Sequence, residues 1–255
     1  MKRNLPLFLL AFGASGWLCS CSTTSTSTHA QLDAKTDAVL TAMSDKLAAA
    51  KTLRVSATRT SSKGFHAGMD MAESATGTLA VQRPNTLAAV MRTSEGNRSV
   101  GLSNGTVTLV DHKAGTHSTV KAMGDLDQTL HSIENTYSIM LPVAELVANH
   151  PRAFLLDGVK TGRCVGTDDI GGVACDHLAF TQDHMSWDLW VATGDGLPRR
   201  MTITYPNGEG GAPLTMQADI SKWELNASLS AADLTVGVPA DSRDIDNRIH
   251  GSRLR

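Results

Sequence analysis

Aromatic residues are scarce in this chain: Phe, Trp and Tyr together make up 4% of its 255 residues. That excludes a protein built on serial stacking platforms for single-stranded nucleic acid. An excess of positive charge is missing as well. The 23 Lys and Arg are balanced by 25 Asp and Glu, for a formal net charge of −2 at pH 7, whereas nucleic-acid binders carry a basic face. After residue 20 no apolar run approaches the roughly 20 residues needed for a membrane-crossing helix. There are only four cysteines, at positions 19, 21, 164 and 175.

Hydrolase signatures are weak too. Gly101-Leu102-Ser103-Asn104-Gly105 fits G-x-S-x-G, but its Asn104-Gly105 reads as a hairpin turn between two strands and not as a strand-to-helix elbow, and there is no H-E-x-x-H. Gly208 to Gly211 is glycine-rich but lies between two strand-like runs and ahead of Pro213, so it reads as a hairpin loop and not as a phosphate cradle. His112 and His117 flank a turn-like Lys113-Ala114-Gly115-Thr116, but two imidazoles without a third ligand make a poor metal site. Asp176-His177 tempts as an acid–base couple, yet neighbours in a strand point to opposite faces. Asp168-Asp169 reads as turn chemistry. The expectation is a protein that is not an enzyme, with no metal and no cofactor.

What is present begins with an export signal at 1–20. Lys2 and Arg3 start it, and Leu5 to Leu18 form an apolar stretch too short for a comfortable span. Its end, Leu18-Cys19-Ser20-Cys21, resembles the bacterial lipobox: an aliphatic residue, two small ones, then the acylated cysteine. That resemblance makes Cys21 the lipid-bearing first residue of the mature chain. Ser22 after it implies sorting to the outer membrane. Several acyl chains on one residue anchor durably, where one alone binds marginally. The alternative is ordinary cleavage near Thr28-His29-Ala30, which leaves a free periplasmic protein. Residues 21–30, rich in Ser and Thr, form a flexible tether.

The rest, 31–239, reads as one mainly β domain of the α+β kind. Apolar residues recur at helical spacing over 31–52. Strands are expected at 53–62, 64–71, 73–83, 86–94, 97–103 and 105–111, with Asn104-Gly105 as a tight hairpin signal. Leu126, Leu130, Ile133 and Tyr137 then form one apolar stripe behind a capping Asp125. Pro142 starts a short helix, 142–149, that stops before Pro151. Strands resume at 153–164, 173–181, 185–193, 198–205 and 214–225, and a polar tail, 240–255, frays. Short strands and tight turns favour an antiparallel meander.

Cys164 and Cys175 flank a turn-like segment. If the turn centres on Asp169-Ile170 they face each other across a hairpin, within disulfide reach in an oxidising compartment. On the strands, Trp187, Leu189 and Val191 share one face, Met69 and Met71 share another, and Met201, Ile203 and Tyr205 a third. Methionine-rich faces line adaptable hydrophobic pockets, and they also fill ordinary cores, the commoner use.

Several segments together carry a family resemblance: Gln82-Arg83-Pro84-Asn85, Asn104 to Asp111, Tyr137 to Pro142, Val173 to Phe180, Trp187 to Trp190 and Leu197 to Arg200. In that order, from about residue 35 to 238, they resemble a family of predicted periplasmic proteins of proteobacteria. That family is similar to the lipoprotein-carrier superfamily of LolA and LolB. The resemblance implies a single curved antiparallel half-barrel sheet with helices covering its concave face, and a hydrophobic ligand, an acyl chain or lipoprotein, beneath them. The candidate ligand-facing residues are then Met69, Met71, Leu126, Leu130, Ile133, Trp187, Leu189, Met201 and Ile203. A protein–protein interaction or envelope-sensing domain with a filled core is the alternative, and a hydrolase the weakest one.

Overall fold

The computed structural model describes residues 30–65, 73–122, 124–137, 143–206 and 211–245, with the backbone alone for 133–137. The leader, the tether up to residue 29 and Cys21 lie outside these residues. So do Met69, Met71, Pro142, nearly all of the strand expected at 64–71, and most of the loop 207–211.

One sheet organises the chain. Its strands are β1 (Gln31–Leu32), β2 (Thr52–Ser61), β3 (Glu73–Gln82), β4 (Thr86–Thr93), β5 (Gly96–Ser103), β6 (Thr106–Asp111), β7 (Thr116–Lys121), β8 (Thr161–Ile170), β9 (Val173–Thr181), β10 (Ser186–Ala192), β11 (Pro198–Tyr205), β12 (Leu214–Leu225) and β13 (Arg243–Asp244). The spatial order is β1-β8-β9-β10-β11-β12-β2-β3-β4-β5-β6-β7-β13. Two antiparallel meanders, β2–β7 and β8–β12, are joined where β12 pairs with β2. The sheet is open and curved, the half-barrel expected from sequence. Bulges at Cys164/Gly166, Trp190/Val191 and Ile220/Lys222 bend it, since an extra residue on one strand kinks that strand and sharpens its twist. Asn104 and Gly105, with φ of 50° and 70°, make the tight β5–β6 turn read from sequence.

Both edges of the sheet are closed by short parallel strands from the two ends of the domain, β1 on β8 and β13 on β7. The polar tail therefore does not fray from residue 240. Ser242 Oγ lies 2.6 Å from His117 Nδ1, and the Arg243 and Ile245 amides donate to Gly115 and His117 carbonyls. Ahead of it, a 3-10 turn at Ala231–Leu234 and Val236 cross the convex side of β3, β4 and β5. Ala80, Ala88 and Gly101 lie in one cross-strand row there. A Cβ on Gly101 would come within 3.0 Å of Val236, so the small residues make room for this crossing segment.

The concave face meets the helices: α1 (Ala34–Ala49), α2 (Leu126–Tyr137), α3 (Ala144–Val147) and α4 (Pro151–Leu155). Asp33 caps α1 by accepting from the Thr36 amide at 2.7 Å and also accepts from the Cys164 amide at 2.8 Å, which ties the helix start to β8. α2 opens on a reciprocal cap between Asp125 and Gln128. The strand expected at 153–164 is corrected: Pro151–Leu155 is α4, and β8 begins only at Thr161. Pro151 ends nothing; it sits at the first position of α4, where its missing amide costs no hydrogen bond.

Arg83 fastens this cover. From the β3–β4 turn its guanidinium donates to the carbonyls of Leu47 (3.2 Å), Ala50 (3.0 Å), Val147 (2.9 Å) and Ala148 (2.5 Å) and to Asn149 Oδ1 (3.3 Å). These carbonyls end α1 and α3, where a cation offsets the unpaired acceptors. Asp127 on α2 completes the join by accepting from the amides of Asn149 (2.5 Å) and His150 (3.0 Å).

Candidate functional site

The alternation of each strand decides what faces the helices. On β2 the inward residues are Leu53, Val55, Ala57, Arg59 and Ser61; on β3 they are Ala75, Gly77, Leu79 and Val81. Toward the middle of the sheet the inward positions are small. Ala57 pairs with Gly77, and Gly77 with Met91, while Ala89 pairs with Leu79. Small side chains on a curved floor leave space that large ones would fill. A cavity of about 70 Å³ stands there, lined by Val55, Ala57, Ala75, Gly77, Leu79, Ala89, Met91, Val100 and Ala218, with Val143 at the start of α3 on its other side.

Two cations interrupt this apolar lining, Arg59 and Arg98. Arg59 forms an ion pair with Glu73, and both side chains are more than nine-tenths buried. Burial pushes the Arg59 pKa down, the Glu73 carboxylate opposes that, and the nearby Arg98 adds to it. Among the described residues the Arg59 Nε has no hydrogen-bond acceptor. Arg98 is half exposed and pairs with Asp111 at 3.3 Å.

A second pocket of about 200 Å³ lies over β10 and β11. Its floor is Trp187, Met201 and Ile203 on β10 and β11; its walls are His131 of α2, Glu145 of α3, Phe154 and Leu155 of α4, Asp157, and Gln182 and Met185 ahead of β10, with Tyr205 at the end of β11. The His131 and Phe154 rings stack at 4.1 Å. Met201 and Ala218 are direct cross-strand partners, one lining each pocket. The two spaces lie on neighbouring strands of the concave face, as a trough divided at that pair, apolar with arginines at one end and carboxylate-bearing at the other.

Of the residues singled out from sequence, Trp187, Met201 and Ile203 line the trough. Leu126, Leu130 and Leu189 are buried in the packed core between sheet and helices, outside the lining of either pocket. Met69, Met71 and the Ile133 side chain lie outside the described residues. Arg59, Arg98 and Glu145 were not anticipated. Strand parity carried a signal for Arg59, which continues the inward series Leu53, Val55, Ala57.

The expected disulfide is corrected. Cys164 and Cys175 are free thiols. The turn sits on Gly171-Gly172, both at positive φ, and not on Asp169-Ile170. That register sets Cys175 opposite Asp168, and Cys164 opposite Leu178 beyond a bulge. A shift of one residue sends a strand's side chains to the other face. Asp168 is likewise no turn residue: it accepts from Trp190 Nε1 at 2.8 Å and stands 3.1 Å from His177 Nδ1.

Asp176 and His177 do part to opposite faces. Asp176 meets Lys35 of α1 at 3.0 Å, while His177 lies on the convex side 2.8 Å from Asp188, stacked on Trp190. His112 and His117 turn to separate serines, Ser99 and Ser242. Among the described residues no three His, Cys, Asp or Glu side chains converge as metal ligands, and no helix is long and apolar enough to cross a membrane.

The sequence model of a family described as "Predicted periplasmic protein (DUF2092)" matches residues 36–247. No curated protein matches the chain. Among solved structures, an uncharacterized conserved protein from Thermus thermophilus is similar at 9% identity and a TM-score of 0.49, over 82% of this chain and 98% of that one. The Mycobacterium tuberculosis lipoprotein LppX is similar at 15% identity and a TM-score of 0.41, over 80% and 99%. A LolA superfamily protein from Nitrosomonas europaea is similar at 11% identity and a TM-score of 0.35, over 79% and 97%. Scores below 0.5 transfer no site from these proteins to this chain.

Proposed function

The chain belongs to the DUF2092 family of predicted periplasmic proteins, and from that premise we propose that it is an envelope lipoprotein that binds a hydrophobic ligand without transforming it. The ligand is an acyl chain, free or carried by a lipoprotein, and the protein is anchored to the outer membrane through acylated Cys21. The observation that carries this reading is the trough, where spaces of about 70 Å³, over small inward residues, and about 200 Å³, over Trp187, Met201 and Ile203, stand between the sheet and its helices.

Size supports part of this at once. An apolar cavity of about 150 Å³ in another protein is enough to bind benzene; the larger pocket has that volume, with an apolar floor of Trp187, Met201 and Ile203 and polar walls. A long chain exceeds either space, so its entry joins them past the Met201–Ala218 pair and moves the helical cover outward. Each methylene buried on the way contributes about 0.8 kcal/mol. Eight of them give roughly 6 kcal/mol before the cost of immobilising the ligand, a sufficient drive for reversible carriage.

Lipid extraction and mass spectrometry of the purified protein, with titration of a fluorescent fatty acid, test the proposal. Co-purified acyl species or saturable binding support it; finding neither contradicts it.

A second reading, an interaction or sensing domain, is favoured by the convex surface. There Trp190 stacks on His177 at 4.2 Å and lies beneath Arg200 at 5.9 Å. Aromatic and arginine side chains dominate binding energy at protein interfaces. A pull-down lost on Trp190→Ala with the fold intact would select that reading.

A further inference from the structure

Arg59 is the anomaly of the trough. Its side chain is 7% exposed in a wall that is otherwise almost wholly apolar. Glu73 takes its Nη2, but the Nε N–H has no acceptor among the described residues. Buried donors are nearly always satisfied, and one left open beside a cavity marks where an acceptor belongs.

The charge facing the cavity points the same way. Among the described residues both ionic side chains in its lining, Arg59 and Arg98, are cations, and their carboxylate partners Glu73 and Asp111 are not in the lining. At the far end of the trough the lining carries Glu145 and Asp157 instead. Glu73 and Asp111 neutralise the two arginines overall, but the cations and not their partners line the space, so the attraction for an anion there is short-range, while Glu145 and Asp157 disfavour one at the other end.

Register supplies the path for the rest of the molecule. Arg59 on β2 is opposite Ala218 on β12, and Ala218 is opposite Met201 on β11. The three lie in one cross-strand row spanning two strand spacings, about 10 Å. Ala218, the smallest of them, lines the arginine-bearing space, and Met201 lines the larger one.

Building on the reading of the trough as a hydrophobic-ligand site, we infer that its occupant is a single-chain carboxylate. One carboxylate oxygen accepts from Arg59 Nε, and the chain runs over Ala218 into the pocket floored by Met201. The headgroup is thus innermost and the chain end lies toward the carboxylate-lined pocket.

Calorimetric titration of the purified protein with decanoate, decanol and decyltrimethylammonium tests this. The expected result is decanoate binding about ten- to a hundredfold tighter than decanol, the range of one charge-assisted hydrogen bond, with the ammonium weakest. Arg59→Met should bring decanoate to the level of decanol without changing decanol itself. Because that substitution strands Glu73, the double variant Arg59→Met/Glu73→Gln is measured beside it and should behave alike. Arg98→Gln should weaken decanoate severalfold and leave decanol unchanged. Equal binding of decanoate and decanol, or tighter binding of the ammonium, overturns the headgroup assignment while the hydrophobic site stands. Binding of none of the three overturns the site itself.

Discussion

Met201 on β11 lies directly opposite Ala218 on β12, so a single cross-strand pair separates the arginine-lined cavity from the carboxylate-lined pocket. Widening or closing that pair decides whether the concave face offers two small spaces or one long one.

Ala218→Leu should close it. The added side chain fills the passage and overpacks the floor at a cost of about 1–3 kcal/mol. Saturable binding of a long-chain fluorescent fatty acid should fall at least tenfold, while a short ligand confined to the larger pocket keeps its affinity. Unchanged long-chain affinity in a folded variant would mean the ligand does not cross between the two spaces.

Arg83 holds α1 and α3 to the β3–β4 turn through five hydrogen bonds. Arg83→Met removes all five and leaves helix-terminal carbonyls short of donors. Urea unfolding should show a loss of about 3 kcal/mol, in the range for breaking a buried charged network. A loss under about 0.5 kcal/mol, the size of an ordinary surface substitution, would show that the cover is held by packing alone.

The acid limit of stability should depend on Asp33. Hydrogen bonds from the Thr36 and Cys164 amides hold its carboxyl below the usual 3.8. A carboxyl with a lower pKa in the folded state stabilises the fold above the unfolded value, and that contribution fades as pH falls through the folded one. Asp33→Asn keeps the cap but cannot titrate, so its stability should fall less steeply than wild type below pH of about 4. Parallel curves for the two proteins would remove Asp33 from the account.

Thiol chemistry should separate the two cysteines. Cys164 is half-buried, whereas Cys175 has no exposed surface and burial raises its pKa. Peptide mapping after alkylation of the native protein should find Cys164 modified well before Cys175. A peptide linking the two through a disulfide would contradict the β8–β9 register.

Much of the fold was legible because it is local. The α1 periodicity, the Asp125 cap, the Asn104-Gly105 turn and the inward set Trp187, Leu189, Val191 all depend on neighbours within one element. The β8–β9 register was misread because Asp169-Ile170 and Gly171-Gly172 both suit a turn, and only the glycines take the positive φ it uses. The strand expected from 153 falls partly on α4 because Ala153 to Leu156 is a short apolar run without a visible period. Parity places Arg59 on the inward face, but a cation in the Thr-rich β2 suits a solvated face equally well, and its burial depends on which strands flank it and what lies above.

The most direct measurement is a crystal structure with a terminally brominated decanoate, located by anomalous scattering. The account predicts a bromine peak over Met201 and Ile203, with the carboxylate against Arg59. A bromine peak outside the trough, or a trough still closed at saturating ligand, would contradict it.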